Sequence, residues 1–187
     1  MKAVLIMLVS SVAVLLGCAV TSAQDRPGTT IQAIRTTPTL DNYLVLRSAF
    51  HGDRDSCREV GATTSEVSEG IVDMIEDGDA IALRTGLLVF RCWDGGLLAD
   101  FFRATGQYVD RDPRAFVDLL GRYLVSRADV QALVTTLPER AVDDLDEQIR
   151  ILRTRRTSLM SYSTMSWLAN ELENEALRRE ALKAQAR

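Results

Sequence analysis

The chain has 187 residues, of which 47% are hydrophobic and 26% are charged, and its formal net charge is −4. This length is enough for one domain with its own apolar core and short for two. The acidic balance argues against a nucleic-acid partner, because such binding depends largely on Lys and Arg side chains that neutralise phosphates.

The first residues have the pattern of a secretory signal peptide. One basic residue, Lys2, precedes an uncharged apolar run over residues 3–16, and small residues follow. A membrane-spanning helix needs roughly 20 apolar residues, so this run is short for a permanent anchor. We therefore predict that residues 1–23 are a sorting signal and that the protein is exported to a bacterial periplasm. The alternative is a buried N-terminal helix.

Two cleavage sites fit this signal. Residues 15–18, Leu-Leu-Gly-Cys, resemble the lipobox of bacterial lipoproteins. The resemblance implies cleavage before Cys18, a lipid on its sulfur and anchoring in a membrane. Under the enterobacterial sorting pattern, Ala19 favours the outer membrane. The alternative is cleavage after Ala23, at an ordinary small-x-small site, which would release a soluble periplasmic or secreted protein.

The composition changes between the N-terminal segment and the rest of the chain. Residues 19–38 are rich in Thr, Ala and Ser without sustained periodicity, which predicts a flexible tether. From Thr39 onward, apolar residues recur at helical spacing. We predict a single all-α domain over residues 39–187, compact and irregular, with about eight helices.

Cys57 and Cys92 form an even pair once Cys18 is assigned to the signal. In an exported protein such a pair predicts a disulfide. It would close a loop of roughly 36 residues, which the chain-entropy model values at about 4 kcal/mol. The alternative is a reactive thiol at Cys57 with His51 as its base.

Capping residues mark the starts of the predicted helices, among them Thr63, Asp112, Ser126 and Thr136. The segment from Ala80 to Trp93 is apolar on almost every side, which indicates a helix at the centre of the core. We expect the helix after it to be short and to end before Gly106.

Two C-terminal stretches have heptad-like spacing, from Val142 to Leu159 and, less regularly, from Met165 to Ala186. They predict either a helical hairpin or one long interrupted helix. The apolar stripes either pack on the domain or project to pair with a second copy of the chain. A five-residue pattern shared by residues 71–75 and 116–120 makes a HEAT-like helical repeat a further alternative.

The sequence contains no catalytic or metal-binding motif. Its one histidine, His51, excludes sites built on two imidazoles, and no G-x-S-x-G elbow or phosphate-binding glycine loop is present. We therefore expect no metal, no cofactor and no catalysis. Because two carboxylates can meet in space without a sequence signature, a carboxylate-dependent hydrolase of peptidoglycan or another glycan is the alternative.

An exported, disulfide-braced helical domain without a catalytic motif is typical of an interaction module. We expect an adaptor, assembly factor or inhibitor that binds another envelope protein. Its predicted binding surface lies on the C-terminal helices, where basic and aromatic residues of the kinds common at interfaces are concentrated. They are Arg153, Arg155, Arg156, Tyr162 and Trp167.

Overall fold

The computed structural model describes residues 30–123 and 125–186. The predicted signal with Cys18, and residues 19–29 of the predicted tether, lie outside these ranges. The described residues form ten α-helices and no β-strand, which confirms the all-α prediction. The helices are α1 Ile31–Thr36, α2 Leu40–Ala49, α3 Arg54–Glu59, α4 Ser65–Glu76, α5 Ala80–Val89, α6 Gly95–Arg111, α7 Pro113–Leu120, α8 Arg127–Thr135, α9 Leu145–Met160 and α10 Ser166–Gln185. Short 3₁₀ turns occur at Phe90–Cys92, Glu139–Ala141 and Ser163–Met165.

Side-chain caps set two helix starts as the sequence predicts, whereas the predicted cap at Thr63 is wrong, since α4 begins at Ser65 after Thr64 and without a side-chain cap. The Asp112 carboxylate accepts a hydrogen bond from the backbone N–H of Ala115 at 2.9 Å. The Ser126 hydroxyl accepts one from the N–H of Asp129 at 3.1 Å. Each bond satisfies one of the N–H groups that a helix leaves unpaired in its first turn.

The predicted helix start at Thr136 is wrong. Pro138 lies in extended backbone, and α9 begins only at Leu145, where the Asp144 side chain accepts hydrogen bonds from the following N–H groups. The residue before a proline is pushed away from helical backbone angles, so the chain cannot enter a helix across this position.

Residues 30–38 are not a tether. Helix α1 buries Ile31 and Ile34 completely, and the Ile31 N–H donates to the carbonyl of Val60 at 2.9 Å. The tether prediction is wrong for residues 30–38. The sequence pattern did not reveal α1, because two isoleucines in a six-residue helix are too few to establish a helical period. The helical domain therefore begins before Thr39.

Helix α5 lies in the core, as its apolar composition predicts. A Cβ atom added at Gly86 would lie 2.5 Å from Phe101 Cε2 and 3.1 Å from Ile75 Cδ1. Helices α4 and α6 therefore pack directly against the α5 backbone at this glycine, where any larger residue would force one of its neighbours to move.

Helix α6 continues through Gly106, where the sequence analysis expected it to have ended. A Cβ atom at Gly106 would lie 2.8 Å from the carbonyl oxygen of Thr136 and 2.9 Å from Arg155 Nη1. The predicted helix end before Gly106 is wrong. This glycine does not stop the helix; it leaves room for Thr136 and Arg155 to approach the α6 backbone.

Helices α9 and α10 form an antiparallel hairpin, one of the two arrangements expected for the C-terminal stretches. Arg179 Nε on α10 donates to Gln148 Oε1 on α9 at 2.7 Å, and Lys183 pairs with Asp146. The end of α10 thus lies beside the start of α9, and α10 does not project from the domain.

A disulfide joins Cys57 on α3 to Cys92 in the 3₁₀ turn after α5, with the Cα atoms 5.7 Å apart. This agrees with the predicted pairing and leaves no free thiol at Cys57 for the alternative with His51 as a base. The bond ties the short helix α3 to the end of the central helix.

The described residues share one apolar core, which runs from α1 to α10. None of their helices is long and apolar enough to cross a membrane. The segments 71–75 and 116–120 lie in α4 and α7, and the HEAT-like repeat stays a prediction.

Candidate binding surfaces

Arg155 is buried, although the sequence analysis placed it on the binding surface. Its Nε and Nη2 atoms donate to the two carboxylate oxygens of Asp110, each at 2.8 Å, and its side chain is 0% exposed. Its Nη1 donates to the carbonyls of Val134 and Thr136, both at 2.8 Å. The prediction for Arg155 is wrong, because its guanidinium joins α6, α8 and α9 inside the domain.

Arg153 and Arg156 lie together beside α10, but their charges are paired. Arg153 is 2.9 Å from a carboxylate oxygen of Glu180 and 3.4 Å from one of Glu173. Arg156 Nε lies 3.2 Å from Glu173, close enough for an ion pair but not aligned for a hydrogen bond. These two arginines therefore add little excess positive charge to the surface.

The two predicted aromatic residues are engaged within the domain. Tyr162 and Trp167 are half-buried and pack against the apolar core. The guanidinium of Arg127 lies 5.3 Å from the centre of the Trp167 ring, a distance at which a cation–π interaction is favourable. A partner that bound to either ring would therefore have to displace some of these contacts.

The structure contains a second candidate surface that the sequence analysis missed. It is a recess of about 370 Å³, formed where α2 ends, where α5 ends and where the chain leaves α7. We call it the cationic groove and define it by a basic rim, Arg47, His51, Arg91 and Arg122, and an apolar floor, Phe50, Leu87 and Phe90. Among the described residues, no Asp or Glu lines it.

The secondary structure explains how the basic rim is assembled. Arg47 lies in the last turn of α2, and His51 follows two residues after the helix ends. Arg91 comes four residues after Leu87 along α5 and its 3₁₀ extension, so both lie on one side. Arg122 lies two residues after the end of α7. The groove therefore combines three helix ends that are far apart in sequence.

Two arginines of the rim have no anionic partner within the described part of the chain. Arg47 and Arg122 form no ion pair there, and Arg91 has only a long contact of 3.7 Å with Asp129. An unpaired guanidinium offers up to five donors in a planar fork that matches a carboxylate or phosphate. The rim is thus suited to an anionic ligand.

A hydrogen-bonded pair of tyrosines borders the groove. The hydroxyl groups of Tyr43 and Tyr123 bond to each other. Burial raises the pKa of Tyr123 far above its ordinary value, the bond to Tyr43 raises it further, and Arg84 and Arg47 oppose the shift. The phenol therefore stays neutral and adds no negative charge that could weaken the rim.

Another recess, about 790 Å³, adjoins the groove at Gly52 and Arg91. Asp53 and Asp94 line it, so it is the natural place to look for a carboxylate-dependent hydrolase. A general acid of that class needs a raised pKa. The pKa of Asp53 is instead lowered, first by the backbone N–H of Ser56, because the carboxylate caps α3. The hydrolase alternative stays a prediction.

No group of three or more His, Cys, Asp or Glu side chains is placed to hold a metal ion within residues 30–123 and 125–186. Comparisons with protein-family models, curated proteins and solved structures find no match to this chain. Its function must therefore be inferred from its own residues.

Proposed function

We propose that this chain is an exported interaction module of the bacterial cell envelope that binds another protein through the cationic groove, without catalysis. The observation that carries the proposal is the groove itself. Basic side chains, two of them without an ion-pair partner in the described residues, surround an apolar floor that no carboxylate lines.

Export is supported by the signal pattern over residues 1–23 and by the disulfide between Cys57 and Cys92. Disulfides persist in oxidising compartments such as the periplasm and are rare in the cytosol. If Cys18 carries a lipid, the domain is held at a membrane, and the outer membrane is favoured. Binding as an adaptor, assembly factor or inhibitor would suit either the anchored or the soluble form.

Protein binding is supported by the kind of surface that the groove presents. Arginine and aromatic residues are enriched where a few side chains supply most of the binding energy, and such residues sit in recesses that exclude water. Opposite charges across an interface also speed encounter and reject partners of the wrong charge. The arginines of the α9–α10 hairpin are already paired with carboxylates. They therefore offer less binding energy and less charge selectivity to a partner than the groove does.

The test is co-purification of the full-length chain from its own host. The chain carries a C-terminal tag and is lightly crosslinked, and captured proteins are compared between the wild type and the double variant Arg47→Glu/Arg122→Glu. We expect the wild type to enrich a stoichiometric envelope protein and the variant to capture at least tenfold less of it, because two attractive charges become repulsive.

The matched control is Arg114→Glu/Arg140→Glu, which makes the same charge change at two exposed arginines that line neither recess. It should capture the partner as the wild type does, and circular dichroism should show equal helix content in all three proteins. Equal capture by the groove variant would contradict the proposal. Release of soluble fragments from purified peptidoglycan would establish the hydrolase instead.

A further inference from the structure

We infer that the ligand of the cationic groove is an amphipathic protein segment, apolar at one end and acidic at the other, with one large apolar side chain between them. Its carboxylates would pair with the rim arginines, and the large side chain would enter the recess. This inference rests on the proposed function and adds the chemistry of the partner.

Helix α2 extends the groove with an exposed apolar strip. Leu40 and Leu44 are 49% and 48% exposed, and Arg47 follows Leu44 by three positions. Residues at spacings of three and four lie along one side of a helix, so the strip leads directly to the basic rim. From Leu40 to Arg47 the helix rises about 10 Å, or two turns. A ligand that covers both features must be apolar at one end and acidic at the other.

The rim selects an acidic segment over a neutral one. Arg47, Arg91 and Arg122 converge on one recess that no carboxylate lines among the described residues. Hydrogen bonds between a guanidinium and a carboxylate are shorter and roughly twice as strong as those between neutral groups. The long contact between Arg91 and Asp129 can be exchanged for a closer one to a ligand.

The concave shape of the recess favours a protein segment over an anionic membrane surface. Leu87 is 3% exposed and Phe90 is 6% exposed, so both lie beneath the surface. The apolar lining that a ligand can touch is the half-buried Phe50 and Leu88, and a recess of about 370 Å³ admits one projecting side chain but not a flat headgroup layer. The rings of Phe50 and Phe90 in the lining favour an aromatic side chain, which gains from edge or offset ring contacts as well as from burial.

The test is calorimetric titration of the full chain with the peptide Ac-LAALAEWDED-NH2. Two matched peptides separate the contributions: Ac-LAALAQWNQN-NH2 lacks the carboxylates, and Ac-LAALAEADED-NH2 lacks the aromatic ring. We expect the first peptide to bind and each matched peptide to bind at least tenfold more weakly. Binding of the first peptide should also weaken as salt is added, because ion pairs at an exposed rim are screened.

Three variants of the chain locate the contact. Arg47→Glu/Arg122→Glu should weaken binding of the first peptide at least tenfold, and Leu44→Asn should weaken it several-fold through the apolar strip. Arg114→Glu/Arg140→Glu should leave it unchanged. Equal affinity for the three peptides, or equal binding by the groove variant, would overturn the inference.

Vesicles of phosphatidylglycerol and phosphatidylcholine form the competing arm. Groove-dependent binding to these vesicles, with no binding of the peptide, would overturn the inference in favour of a lipid surface. If the host partner depends on the groove but the peptide does not bind, the ligand chemistry is wrong and the proposed function stands. If the peptide binds and the host yields no partner, the ligand chemistry stands and the proposed function fails.

Discussion

At Arg155 a positive charge is held entirely inside the domain. A buried charge is tolerated only when it is paired and hydrogen-bonded, and here Asp110 and two backbone carbonyls meet that requirement. Asp110 itself is 34% exposed, so the pair lies between the core and water. The arginine fixes how α6, α8 and α9 sit against one another.

Asp110→Ala should lower the free energy of unfolding by about 3 kcal/mol, the low end of the range for breaking a buried pair. It leaves the Arg155 guanidinium buried without its counter-charge, and water reaches only one side of the site. The matched control is Asp55→Ala, which removes an exposed pair with Arg58 and should cost less than about 1 kcal/mol. Urea unfolding measures the free energy of unfolding of both variants. Equal losses would show that the buried Asp110–Arg155 pair stabilises the protein no more than an exposed pair does.

The same residues explain why the three arginines of the predicted binding surface do not lie together. Consecutive residues of a helix are about 100° apart around its axis, so Arg153, Arg155 and Arg156 cannot share one face. Arg155 turns into the core, while the other two meet Glu173 and Glu180 on α10. A run of arginines in a sequence gives a local charge count, but it does not show which charges are already paired.

At the scale of the element, α1 shows how a short helix becomes part of a fold. Six residues cannot form a stable helix alone, because helix nucleation is costly and few hydrogen bonds follow. Its two isoleucines are completely buried against the domain, and packing of this kind supplies the stability that length does not. The segment is therefore ordered by its tertiary contacts.

Ile34→Ala should destabilise the protein by about 3 kcal/mol, because it removes buried methyl groups and leaves a cavity. Gln32→Ala on the exposed side of the same helix should change stability by less than about 0.5 kcal/mol. Thermal and urea unfolding of the two variants provide the comparison. If residues 31–36 behaved as a tether, both substitutions would be neutral.

On the scale of the whole molecule, the disulfide connects the fold to the candidate groove. Cys92 follows Arg91 directly, and Cys57 lies on the helix that begins after the loop carrying His51. The bond thus holds two segments that contribute to the rim. Loss of the bond is expected to loosen the groove as well as to destabilise the domain.

Cys57→Ser/Cys92→Ser should lower the free energy of unfolding by about 2–4 kcal/mol, since the unfolded chain is no longer constrained by the loop. Reductant should lower the urea midpoint of the wild type and leave that of the double variant unchanged. The affinity of the double variant for the peptide Ac-LAALAEWDED-NH2 should also be lower than that of the wild type. A wild-type midpoint that does not respond to reductant would show that the bond does not stabilise the protein.

The sequence by itself determined the helical class, the buried character of α5 and the caps at Asp112 and Ser126, and its cysteine count favoured the pairing of Cys57 with Cys92. These features depend on local spacing or on residue type, and both can be read along the chain. Only the tertiary structure decided that Arg155 is internal, that Gly106 lies inside a helix and that α1 belongs to the core. It alone brought the ends of α2, α5 and α7 together into the cationic groove. Contacts between residues distant in the chain depend on how helices cross and which charges they neutralise, and no local pattern contains that information.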